Sequence, residues 1–219
     1  VFLSLAIISC GSSNNGDNPQ QNGNRRFETS DPQFDTYKND FQSGAASFSV
    51  GVDLSEIPIN FGNLDDIENR TSSLKKAHFA CKKKEKQNFL ISFLHKHFSK
   101  VSIKNAHFAY WKKAGETQTV GVCIEYSNGL KEILLRESSW QTLNNVSREI
   151  LVFHELGHCE DGLDRDHKDQ SYRGYDVSVM NSLLIDPTDY IRYYNEYLEE
   201  LYTFDDQALR QAIDNDSIL

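Results

Sequence analysis

The chain has 219 residues, 38% apolar and 25% charged, with 13 Phe and 10 Tyr; it can bury one sizeable core and is too aromatic for a disordered chain. Its formal net charge of −9 argues against a nucleic-acid-binding module, and no nucleic-acid partner is expected. No apolar run reaches the roughly 18 residues of a membrane-spanning helix, which excludes a helical channel or transporter.

Residues 1–9, VFLSLAIIS, are almost wholly apolar and run into Cys10. That length suits the core of a signal peptide better than a spanning helix. Ile7-Ile8-Ser9-Cys10 resembles a bacterial lipobox, so residues 1–10 read as a clipped signal peptide with Cys10 as the lipidated residue. An acylated Cys10 anchors the protein to the membrane of the bacterial cell envelope without spanning it. Residues 11–30 are rich in Gly, Ser, Asn and Gln and read as a flexible tether. With Cys10 lipidated, Cys81, Cys123 and Cys159 remain, and at most one bridge forms among three thiols. Cys123–Cys159 is the expected pair, since both lie in segments expected to be buried together; three free thiols are the alternative.

Phe34, Tyr37, Phe41, Ala45 and Phe48 stand three and four apart behind Asp31-Pro32, which predicts an amphipathic helix over 31–48. Ile57 to Phe61 alternates and predicts a short strand, kept to an edge or a strand start by Pro58. Residues 64–74 are polar and read as loop. Segment 75–113 holds 11 Lys against the single acidic Glu85 and reads as a solvated face. Its His78, His95, His97 and His107 read as solvated or packing side chains, and Ala106 to Trp111 as a strand. Residues 119–126 and 130–135 flank Asn128-Gly129, a strong hairpin signal because both turn positions tolerate positive φ. Between 148 and 219 there are 17 Asp and Glu against 6 Lys and Arg. A Tyr-rich helix is expected over 190–201, with Glu196, Glu199 and Glu200 on an exposed acidic face, and residues 205–219 read as an acidic C-terminal tail.

Residues 154–158 read His-Glu-Leu-Gly-His. Val146, Ile150, Phe153 and Gly157 follow the four-three-four spacing of a buried helix stripe, so this stretch is expected to be helical. On that helix His154 and His158 stand one above the other and can grip one zinc ion from one side. Glu155 lies about 100° round the helix, placed to serve as general base towards a zinc-activated water without itself being a ligand. Gly157 is expected to let the sheet approach the helix, and Gly162 to stop it.

With these residues in place the sequence resembles the metzincin clan of zinc metallopeptidases. It is most similar to a group of bacterial lipoproteins whose metallopeptidase domain bears HELGHC, then Arg-x-His, then Ser-x-Met, over roughly residues 31–204. The resemblance implies an α+β, zincin-like catalytic domain over 31–204: a small mixed sheet, an active-site helix carrying HExxH, and a Met-turn. It implies one Zn²⁺ per chain on His154 and His158, with Glu155 as the catalytic residue and Met180 in the turn beneath the metal. Without the resemblance Met180 reads as an ordinary core residue. The clan spacing puts Asp164 where a third histidine is usual, and His167 follows three residues later. Neutral imidazole is the commoner zinc ligand, so His167 is preferred and Asp164 stays open as the alternative, with Asp166 as a candidate to orient His167. The implied function is a membrane-anchored zinc metalloendopeptidase acting on peptide or protein substrates, which are expected to add along a sheet edge. The alternative is a non-catalytic, zinc-containing surface lipoprotein that binds a partner.

Overall fold

The computed structural model describes residues 31–72, 103–113, 115–163 and 165–217. Cys10, the tether, Cys81, His78, His95, His97 and Asp164 lie outside the described residues. Contacts divide the chain into two compact units, Arg26–Leu64 with Ser102–Leu219, and Val1–Arg25 with Asp65–Val101; of the second only 65–72 are described, and they are helical.

The fold is α+β, built on a small mixed sheet. Helix α1 (Gln33–Ser47) buries Phe34, Tyr37, Phe41 and Ala45, the stripe its spacing prescribes. Strand β1 (Ile59–Phe61) follows Pro58 and sits at the sheet edge, parallel to β4. Residues 64–72 form a helix, α2, rather than the expected loop; only Leu64 and Ile67 are buried in it, and two apolar residues in a polar run give a weak periodic signal. Strand β2 (Ile103–Lys113) forms a long antiparallel hairpin with β3 (Glu116–Tyr126), turned at Gly115 with φ of 90°. Strand β4 (Lys131–Leu135) follows across the Asn128-Gly129 turn, where Gly129 takes φ of 84°. The strand order is β1-β4-β3-β2.

After a short helical turn, α3 (Glu137–Trp140), comes α4 (Asn145–Cys159), the helix around which the core is built. Asn144 caps it by accepting from the Ser147 N–H at 2.8 Å, satisfying one of the donors a helix start leaves open. Every residue from Ile150 to Cys159 is buried, because the sheet covers one side of α4 and α1 and α5 cover others. Phe153 meets Phe41 edge to face at 5.2 Å, joining the HExxH helix to α1. Cys159 is bonded to Cys123 of β3, so the C-terminal end of α4 is stapled to the middle of the sheet. Closing a loop with a sequence separation of 36 stabilises the fold by about 4 kcal/mol in the chain-entropy account.

A small hairpin, β5 (Ser171–Tyr172) with β6 (Tyr175–Asp176), precedes the last three helices. The Tyr-rich segment is two helices, α5 (Pro187–Arg192) and α6 (Tyr194–Thr203), broken at Tyr193. The expected acidic tail is largely helix α7 (Gln207–Asp216). Leu209 and Ile213 stand four apart and are fully buried in the core, a two-residue stripe that the acidic composition masks. Among the described residues no helix is long and apolar enough to cross a membrane.

Candidate metal centre

Three histidines converge. His154 and His158 lie on consecutive turns of α4 and are buried, while half-buried His167 comes from the loop after it. One ring nitrogen from each lies within 4.8 Å of the others. The Nε2 atoms of His154 and His158 are 3.1 Å apart, against about 3.3 Å between two nitrogens on a tetrahedral zinc with Zn–N of about 2.0–2.1 Å.

The tautomers follow from the partners. His154 Nδ1–H donates to the Val179 carbonyl at 2.9 Å, and His158 Nδ1–H donates to the Arg165 carbonyl. A carbonyl only accepts, so both protons sit on Nδ1 and both Nε2 atoms present lone pairs. Two lone pairs facing at 3.1 Å repel, and a cation between them relieves that repulsion. His167 bonds to the Phe108 backbone, and its buried Nε2 has no hydrogen-bond partner. Burial, with the neighbouring imidazoles, pulls all three pKa values below the ordinary histidine value, His154 to about 3. Neutral imidazole is the ligating form. A buried, neutral, lone-pair-lined cluster fits a divalent metal that takes nitrogen ligands.

Glu155 is fully buried, and neither carboxylate oxygen completes a hydrogen bond. Burial raises its pKa well above the ordinary 4.5, and the facing backbone of Ala109 and Cys123 offsets this only in part. Space for the carboxylate comes from Gly121, paired with Ala109 across β2 and β3. A Cβ at Gly121 would collide with Glu155 Oε1 and stand 2.8 Å from Leu151 Cδ1. The close approach of sheet and helix is thus made at Gly121, not at Gly157. Gly157 instead admits Met180, since a Cβ there would stand 2.6 Å from Met180 Sδ. Gly121→Ala is expected to cost about 1–3 kcal/mol through overpacking and to displace Glu155; calorimetry of the variant reads the first effect directly.

Met180 is fully buried in the turn Ser178–Asn181, directly after the carbonyl that holds His154. The helix ends at Cys159, with extended Glu160 as its cap, so Gly162 is not the stop. Asp166 faces His107, 4.0 Å from its Nδ1, and the ring of His167 is held by the Phe108 backbone instead. Tyr190 is turned away from the histidines, its hydroxyl donating to Glu149 at 2.9 Å.

Two residues of the site escape a reading of the sequence. His107, on β2, stacks on His158 with ring centroids 4.5 Å apart and planes at 20°. Its Nε2 accepts from the Asn105 side chain at 2.8 Å. The β2–β3 pairing brings it there, and no local spacing announces that. Glu200, expected on an exposed acidic face, is fully buried; it is bonded to Arg165 at 2.6 Å and to Ser178 at 2.7 Å. The outer edge of β2 is also occupied at Tyr110, whose N–H bonds to the Ser182 carbonyl and whose carbonyl accepts from Leu184. The backbone groups of Tyr110 are therefore not open to a further strand. Comparison with protein-family models, with curated proteins and with solved structures finds no match.

Proposed function

We propose that the chain is a zinc metallopeptidase of zincin-like fold, anchored to the bacterial cell envelope through Cys10 and acting on peptide or protein substrates. The observation that carries the proposal is the three-histidine cluster with a buried, unpartnered Glu155 on the same helix. His154, His158 and His167 would hold the zinc. A catalytic site keeps one position open beside its three protein ligands, whereas a structural site fills it with a fourth; Asp164, the candidate for that position, lies outside the described residues. When bound, zinc supplies the Lewis acidity that makes water a nucleophile near neutral pH and polarises a peptide carbonyl.

The rest of the chemistry belongs to this chain. Burial raises the pKa of the Glu155 carboxyl, which makes the carboxylate a stronger base and suits a group that must take a proton from water and give it to the leaving amine. Gly121 and Ala109 shape the slot that holds this carboxylate. Met180, seated against Gly157, fixes the turn from which Val179 orients His154.

The test is elemental analysis combined with a cleavage assay on an unfolded protein substrate. The expected result is about one zinc per chain, in keeping with a single three-ligand site. Cleavage is expected to be lost on chelation and restored by zinc. Zinc without cleavage would favour the partner-binding lipoprotein, and failure to take up zinc would overturn the proposal.

A further inference from the structure

We infer that Glu200 is the positioning residue of the histidine cluster: one buried carboxylate on α6 sets both backbone carbonyls that orient His154 and His158, and so tunes the affinity of the site for a divalent cation. The inference rests on the metal-centre reading and is independent of whether the protein cleaves peptides.

Two arms leave Glu200. Its Oε1 accepts from Arg165 Nη2 at 2.6 Å, while Arg165 Nη1 donates to the carbonyls of Glu200 and Leu201, each at 2.7 Å. A planar guanidinium bonded at three points has little freedom. Arg165 N–H is also bonded to the Gly157 carbonyl at 2.9 Å, so the residue is held at both its backbone and its side chain. The Arg165 carbonyl is the acceptor for His158 Nδ1–H.

The second arm runs from Glu200 Oε2, which accepts from Ser178 Oγ at 2.7 Å. Ser178 Oγ in turn accepts from the Met180 N–H at 3.0 Å. Val179 lies between these two residues, and its carbonyl accepts from His154 Nδ1–H at 2.9 Å. A third contact reaches the loop of His167: Lys168 Nζ lies 3.2 Å from Glu200 Oε1 and 3.0 Å from Asp206 Oδ2. Lys168 N–H bonds to the Met180 carbonyl at 2.9 Å, tying the His167 loop to the same turn.

A buried ion pair is by itself weak evidence for stability, because desolvation offsets most of the attraction. What distinguishes Glu200 is where its partners lead. Each of its oxygens leads to a hydrogen bond that fixes a histidine tautomer and ring direction, one at the carbonyl of Arg165 itself and the other at the carbonyl of Val179, next to Ser178. Such outer contacts govern metal affinity even though they never touch the metal.

The experiment is titration of the metal-free full chain with Zn²⁺ in competition with a chromophoric chelator, and with Co²⁺ followed by its visible absorption. Folding of each metal-free variant is checked by circular dichroism. Glu200→Gln, which keeps the shape and removes the charge, is expected to weaken Zn²⁺ binding about 10- to 100-fold and to alter the Co²⁺ spectrum. Ser178→Ala cuts only the His154 arm and is expected to weaken binding by about tenfold; it decides the question if Glu200→Gln does not fold. Leu209→Ala destabilises the core at α7 outside both arms and is expected to keep the wild-type affinity and spectrum. Wild-type affinity in folded Glu200→Gln, or an equal loss in Leu209→Ala, would overturn the inference while leaving the metal centre intact. A wild-type chain that takes up neither ion would overturn the metal-centre reading and this inference with it.

Discussion

Glu155→Gln is expected to leave zinc content unchanged and to slow peptide cleavage about 10²- to 10⁴-fold, the usual contribution of a general base. Glutamine has nearly the volume of glutamate and fits the slot beside Gly121, so the comparison isolates the loss of a proton acceptor. The same variant carries a stability signature in the metal-free protein. Burial raises the folded-state pKa of Glu155 above its ordinary 4.5, so between those two values the folded state holds a proton that the unfolded state has released. Stability then falls as pH rises from about 4.5 towards the folded-state value. Glutamine does not titrate, and the variant is expected to lack that fall. Chemical denaturation of wild type and variant at several pH values reads the difference. Cleavage at the wild-type rate would remove Glu155 from the mechanism, and parallel pH profiles would show that its carboxylate is not desolvated.

What the sequence makes legible is what repeats locally. The spacing of Phe34, Tyr37, Phe41 and Ala45 states α1 outright, and Asn128-Gly129 states a turn in which Gly129 alone takes a positive φ. The pair His154 and His158 is equally local, since four residues on a helix return to one face. His107 and Glu200 are not local at all. His107 reaches His158 only because β2 pairs with β3 and α4 packs across them. Glu200 sits among acidic neighbours, and the Arg165 that accounts for its burial is 35 residues away in sequence. The two glycines show the same limit from another side. Gly157 sits inside a readable motif, yet its neighbour is Met180, 23 residues on. Gly121 has no motif, yet it houses the motif's carboxylate. Helix α7 fails for a different reason: residues 205–219 look like a tail by charge, and Leu209 and Ile213 alone carry the helical stripe.

His167→Ala is expected to empty the site: zinc falls from about one per chain to none after dialysis, because the two imidazoles of α4 alone do not make the three-ligand set of such centres. The variant also removes a buried nitrogen without a hydrogen-bond partner, an atom that costs about 1–3 kcal/mol when left unsatisfied. It also loses the bond to the Phe108 backbone, worth about 0.5–1.5 kcal/mol, so the two changes offset and the metal-free variant is expected to lie close to the metal-free wild type in stability. The two proteins should separate only when zinc is added. Metal at about 100 times its dissociation constant stabilises a folded site by about 2.7 kcal/mol, about 5–10 °C in midpoint for a domain of this size. Wild type is expected to show that rise and His167→Ala to show none. Asp164→Ala, at the alternative clan position, is expected to keep its zinc and the rise. Loss of zinc from Asp164→Ala with retention in His167→Ala would transfer the third ligand to Asp164. It would also leave the convergence of His167 on the other two histidines without a chemical purpose.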